Sequence, residues 1–183
     1  LRRKVSFDNS AQTESLANFP ALVVLTSSNF NFAQAKSNGE DIRFTDSDGI
    51  SLLNHEIESW DQAGELAYVY VSVPQIDGSS NSDYMYMYYG NSAAPDGQNE
   101  NGVWNSDFVA SYHLNETSGL HIDSTSNGNN ATTMTVSGQG LAGGQVGSVD
   151  EFIRTDEISI PDSVSLSPTA GVSVSAWFEK DTL

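Results

Sequence analysis

Glu56 and Glu58 stand two residues apart in His55-Glu56-Ile57-Glu58-Ser59-Trp60, a spacing that puts both carboxylates on one face of an extended strand, about 7 Å apart. Carboxyl groups ~5–5.5 Å apart serve retaining glycosidases, and ~6.5–9.5 Å apart inverting ones. The chain holds 24 Asp and Glu residues, so such a pair arises by chance, and no catalytic residue is assigned. His113 and His121 are too isolated for a zinc motif, and neither His-Glu-x-x-His, Gly-x-Ser-x-Gly nor a phosphate loop occurs. Cysteine is absent, which removes disulfides, thiolate metal sites and a thiol nucleophile. The expectation is a chain that is not an enzyme.

Two acidic loops carry the oxygen chemistry that calcium needs. Asp41, Asp46 and Asp48 cluster around Asp46-Ser47-Asp48-Gly49, although Asp and Gly are equally what a tight hairpin requires. The segment from Asp123 to Asn130 offers one carboxylate with several amide and hydroxyl oxygens, among them Asn127 and Asn129. It can wrap a cation, or satisfy its own backbone through Asx and Ser/Thr turns. Glu116 and Asp150 would join it only if the fold brings them near. The metal candidates are therefore Asp123, Asn127, Asn129, Glu116, Asp46 and Asp48, with calcium as the ion.

A third group is aromatic. Residues 67–73 alternate small apolar residues with Tyr68, Tyr70 and Ser72, and residues 84–89 set Tyr84, Tyr86 and Tyr88 on one side. Pro74 and the loop 77–82 carry turn chemistry between them, so the two strands are expected to pair. The five tyrosines then line one face suited to a pyranose ring, or pack beneath a second sheet.

The elements that position these groups read as short strands at 4–7, 21–25, 42–44, 51–57, 67–73, 84–89, 108–114, 132–136, 149–153, 158–160 and 172–178, with at most a short helix at 32–36. Many short strands separated by Gly, Ser and Asn turns predict an all-β, antiparallel β-sandwich class. Polar, unpatterned residues 93–102 form the expected linker between units 1–92 and 103–183. The formal charge of −17 repels phosphate backbones and argues against a nucleic-acid partner. No apolar run is long enough to span a membrane.

Several ordered motifs carry a family resemblance. Arg2-Arg3-Lys4-Val5, Asn18-Phe19-Pro20-Ala21-Leu22-Val23, Gly39-Glu40-Asp41-Ile42-Arg43-Phe44-Thr45-Asp46, the Glu56–Glu58 segment and Met87-Tyr88-Tyr89-Gly90-Asn91 resemble an uncharacterised module of bacterial and archaeal surface proteins. Val103-Trp104-Asn105-Ser106, Tyr112-His113-Leu114-Asn115-Glu116, the loop from Asp123 to Asn129 and Val174-Ser175-Ala176-Trp177-Phe178 are similar to a concanavalin A-like, LamG-type module. The second resemblance implies a jelly roll longer than the stretch present, hence an incomplete one, with sugar or adhesive binding and sometimes calcium. Together the resemblances imply an extracellular or cell-surface recognition segment, with a glycan or neighbouring surface protein as partner. An incomplete jelly roll would also expose strand edges, so self-assembly by strand addition is a second expectation, and a role beside a polysaccharide-degrading enzyme a third.

Overall fold

The computed structural model describes residues 1–180; the last three positions of the unit expected at 103–183 lie outside them. The fold is all-β and antiparallel. The first ninety residues form seven strands: β1 (Arg2–Ser6), β2 (Leu16–Thr26), β3 (Arg43–Thr45), β4 (Leu52–Leu53), β5 (His55–Asp61), β6 (Leu66–Ile76) and β7 (Tyr84–Tyr88). One sheet has the order β1-β7-β3-β4 and the other β2-β6-β5.

Alternation decides what each sheet buries. Ala67, Val69, Val71 and Val73 of β6, with Ala21, Val23 and Leu25 of β2, face Met85 and Met87 of β7 and Phe44 of β3. Burial of these side chains, each worth ~1.5–3 kcal/mol for a Val, Leu or Met, is what holds the two sheets together. Phe30 and Phe32 pack edge-on against each other and against Trp60. Gly39 is required beside them: its φ is +73°, and a Cβ there would lie 2.5 Å from the Trp60 ring.

Two local expectations change. The strands at 67–73 and 84–89 do not pair: β6 lies between β2 and β5, whereas β7 lies between β1 and β3. Both strands carry an apolar alternate set that must face the core, and placing them in opposite sheets lets the two sets meet. The helix expected at 32–36 is a single 3-10 turn, Phe32–Gln34, because Phe32 is drawn into the core.

The second region is built differently. β8 (Thr133–Thr135) pairs with β11 (Glu157–Ser159), and β9 (Gly138–Ala142) with β10 (Ser148–Glu151). The strands expected at 108–114 and 172–178 do not form. Residues 108–114 instead lie along side chains of the first sandwich and of the 123–129 loop. Residues 172–178 have no backbone partners among the described residues, and Trp177 and Phe178 are 78% and 90% exposed. Among the described residues, no helix is long and apolar enough to cross a membrane.

Candidate functional site

β5 is an edge strand with a bulge. Ile57 pairs with Val69 and Ser59 with Tyr68, leaving Glu58 as the extra residue. The bulge shifts the phase of alternation, so His55, Ile57 and Trp60 turn to the core while Glu56 and Glu58 both lie on the outer face. His55 packs edge-on against Phe44, and burial, then the charge of Arg43, pushes its pKa down to about 4. It is therefore neutral.

The segment after residue 95 covers this edge without adding a strand. The Ile57 N–H donates to Gln98 Oε1 at 2.6 Å, the Asn99 N–H to the His55 carbonyl at 3.0 Å, and Asn115 Nδ2 to the Glu58 carbonyl at 3.1 Å. Above the strand, Trp104 Nε1 donates to Glu56 Oε2 at 2.9 Å and Ser124 Oγ to Glu56 Oε1 at 2.6 Å. His113 lies between the two carboxylates, its Nε2 3.1 Å from Glu56 Oε1 and its Nδ1 against Glu58 Oε2. Burial alone would lower the His113 pKa, but the hydrogen bonds and charges of Glu56 and Glu58 outweigh it and hold the value up at about 10. Glu56 is lowered in turn: burial opposes this, and His113, Ser124 and Trp104 overcome it.

Satisfaction is incomplete at Glu58. Its side chain is 2% exposed, and Oε1 has no hydrogen-bond partner. The atom lies against Gly147, where φ is +70° and a Cβ would come within 2.9 Å of it. Glu58 and His113 form part of a cleft of about 310 Å³ also lined by Tyr70, Tyr112, Trp177 and Phe178, with the glycine-rich turn 143–148 as its far wall. Tyr70 packs at 5.7 Å from His113 and 5.2 Å from Trp104. Its pKa is raised by burial and then by the charges of Glu58 and Glu56, so its hydroxyl stays protonated.

A second buried histidine ties the region behind the cleft together. His121 Nδ1 lies 2.5 Å from Glu116 Oε2, and Nε2 lies 2.6 Å from Asp150 Oδ2. Two carboxylate acceptors require both ring nitrogens to carry protons. Burial works against that charge, but the two carboxylates raise the His121 pKa.

Other expected site residues are placed as follows. Asp46 and Asp48 sit in the hairpin joining β3 to β4, where Asp48 accepts from Ile50 N, Ser51 N and Ser51 Oγ and Asp46 from Ser47 N. Asp41 is buried elsewhere, holding the backbone N–H groups of Lys36, Gly90 and Asn91. Asp123 accepts from Ser111 N, Thr125 N, Thr125 Oγ1 and Asn129 N. Asn127 donates to the Phe108 and Val109 carbonyls, and Asn129 to Val109 and Ser165. Glu116 and Asp150 meet on His121. The carboxylate oxygens of Asp48 and Asp123 are thus engaged with protein donors, and among the described residues no group of three or more His, Asp or Glu is arranged to hold a metal.

The five tyrosines divide between two outer faces. Tyr68 and Tyr70 lie on the β2-β6-β5 sheet, and Tyr84, Tyr86 and Tyr88 on the other, where Lys4 stacks 3.9 Å over Tyr84 and Arg2 4.6 Å over Tyr86. Only Tyr70 reaches the cleft. Spacing alone marks Glu56 and Glu58 as a pair, whereas nothing in the sequence marks His113, far along the chain, as their partner. No curated protein and no solved structure matches the chain. A family model does match residues 38–134, from the turn before β3 into β8, and so includes both the Glu56–Glu58 strand and the segment that covers it. With more than half of its length matched, the chain belongs to DUF2341, a domain of unknown function.

Proposed function

We propose that the chain is a non-catalytic recognition segment of an extracellular or cell-surface protein, taking a glycan in the cleft between β5 and β6 and the covering segment. The observation that carries this reading is the cleft itself: aromatic rings that present apolar area with polar tips, around a buried carboxylate oxygen that lacks a partner. Acid–base chemistry has weaker support. His113 is held protonated between Glu56 and Glu58, so the imidazole is not free to act as a base at the cleft. The LamG-like character of residues 103–180 and the surface location are part of the same proposal. A calcium ion at the 123–129 loop would have to replace four hydrogen bonds to Asp123, so calcium is not assigned a step. A glycan array with the purified chain, run with calcium and with chelator, tests the reading. Retention of one glycan class that Tyr70→Ala abolishes supports it, and hydrolysis of a retained polysaccharide contradicts it.

Assembly through strand addition is a second reading. The exposed, alternating Val172, Val174 and Phe178, together with the unpaired edges of the two small sheets, favour it. A concentration-independent monomer in sedimentation would remove it.

A further inference from the structure

The cleft is unusual in its charge. Glu58 and Glu179 line it, and its one imidazolium, His113, is shared between Glu58 and the Glu56 carboxylate behind it, so carboxylates outnumber cations there. Among the described residues, no Lys or Arg lines the cleft. Buried charges in folded proteins are matched by a counter-charge or by full hydrogen bonding, and Glu58 Oε1 has neither to spare. Tyr70, Tyr112, Trp177 and Phe178 also line the cleft, and ring faces attract cations through their quadrupoles. The chain as a whole carries −17, which concentrates cations near the surface.

We infer that the cleft takes an ammonium group, carried on a saccharide as an amino sugar with its amine free. Taking the saccharide as carrier rests on the glycan reading above; the ammonium comes from the excess of carboxylates and the aromatic rings. The ligand's amine lies over the Glu58 floor, and its ring packs against Tyr70. An N-acetylated sugar of the same shape offers a neutral amide, which leaves the charge uncompensated. An anionic sugar is repelled.

The test is calorimetric titration with short glucosamine oligomers, N-acetylglucosamine oligomers of equal length, and a lysine-containing peptide, in physiological salt, where general attraction to the acidic surface is screened. Binding of the free-amine oligomer about tenfold or more tighter than the acetylated one, roughly 1.4 kcal/mol, supports the inference. Gln145→Lys, an exposed rim substitution outside the His113 network, should reduce that binding by a similar factor while circular dichroism stays unchanged. Equal binding of both oligomers overturns the ammonium and leaves the glycan reading standing. Binding of the lysine peptide alone overturns the saccharide carrier, and unchanged affinity in Gln145→Lys overturns the site. Failure of every saccharide on both the array and the titration overturns both readings.

Discussion

The first sandwich and the region that covers it are stabilised by different physics. Residues 1–90 bury alternating Val, Ala, Met and Phe side chains between two sheets. Among the described residues after 102, the buried apolar side chains are Val103, Trp104 and Ala131, whereas the buried polar ones are His121, Asp123, Ser124, Thr125, Asn129 and Asp150. The first region can tolerate imprecision, since apolar contact is non-directional. The second depends on each polar group finding its partner, because a buried group left alone costs the full loss of its hydration. The cleft lies where the two meet, with a rigid floor from β5 and β6 and a wall set by hydrogen bonds.

The largest effects should break the two regions separately. Phe44→Ala removes a fully buried ring from the core and should cost about 3–5 kcal/mol, lowering the midpoint of a urea transition for both regions together. His121→Ala leaves the Asp150 carboxylate, with a side chain of 0% exposure, buried without a counter-charge. It should also cost about 3–5 kcal/mol, but limited proteolysis should open residues 103–160 while β2, β5 and β6 remain resistant. If His121→Ala unfolds both regions in one step, the comparison is wrong.

A smaller effect sharpens the junction. Trp104→Phe keeps most of the ring that packs on Tyr70 and Phe108 but removes the N–H donated to Glu56. A hydrogen bond to a charged group contributes about 1.5–3 kcal/mol. Differential scanning calorimetry should show loss in that range, with the sandwich's own transition unmoved.

The same contrast explains what could be read from the sequence. The strands of the first region declared themselves because period-two alternation follows directly from burial on one face, as in Ala67 to Val73. Their sheet assignment did not: β6 and β7 look like a hairpin from the turn residues between them, and only the need for Met85 and Met87 to face Val69 and Val71 puts them in opposite sheets. In the second region, 108–114 has strand-like composition yet forms none, since Tyr112, His113 and the Ser111 N–H are held by side chains of Asn129, Glu58 and Asp123 or by their backbone. Such partnerships join residues far apart in the chain and leave no periodic trace. The Asp46 and Asp48 turn was legible from its residue types, and its hydrogen bonds are those of a turn.

The measurement that tests the two-region account most directly is hydrogen exchange as a function of pH, corrected for the intrinsic pH dependence of exchange. His113 is raised from an ordinary imidazole value of 6.5 to about 10. Its contribution is therefore complete below pH 6.5, where the unfolded histidine is also protonated, and declines as pH rises through about 10. His121, raised by Glu116 and Asp150, acts in the same direction. Between pH 6.5 and 10 the account predicts falling protection in residues 103–150 with protection in β2 and β6 retained. Uniform loss across both regions, or no loss in the covering segment, would contradict it.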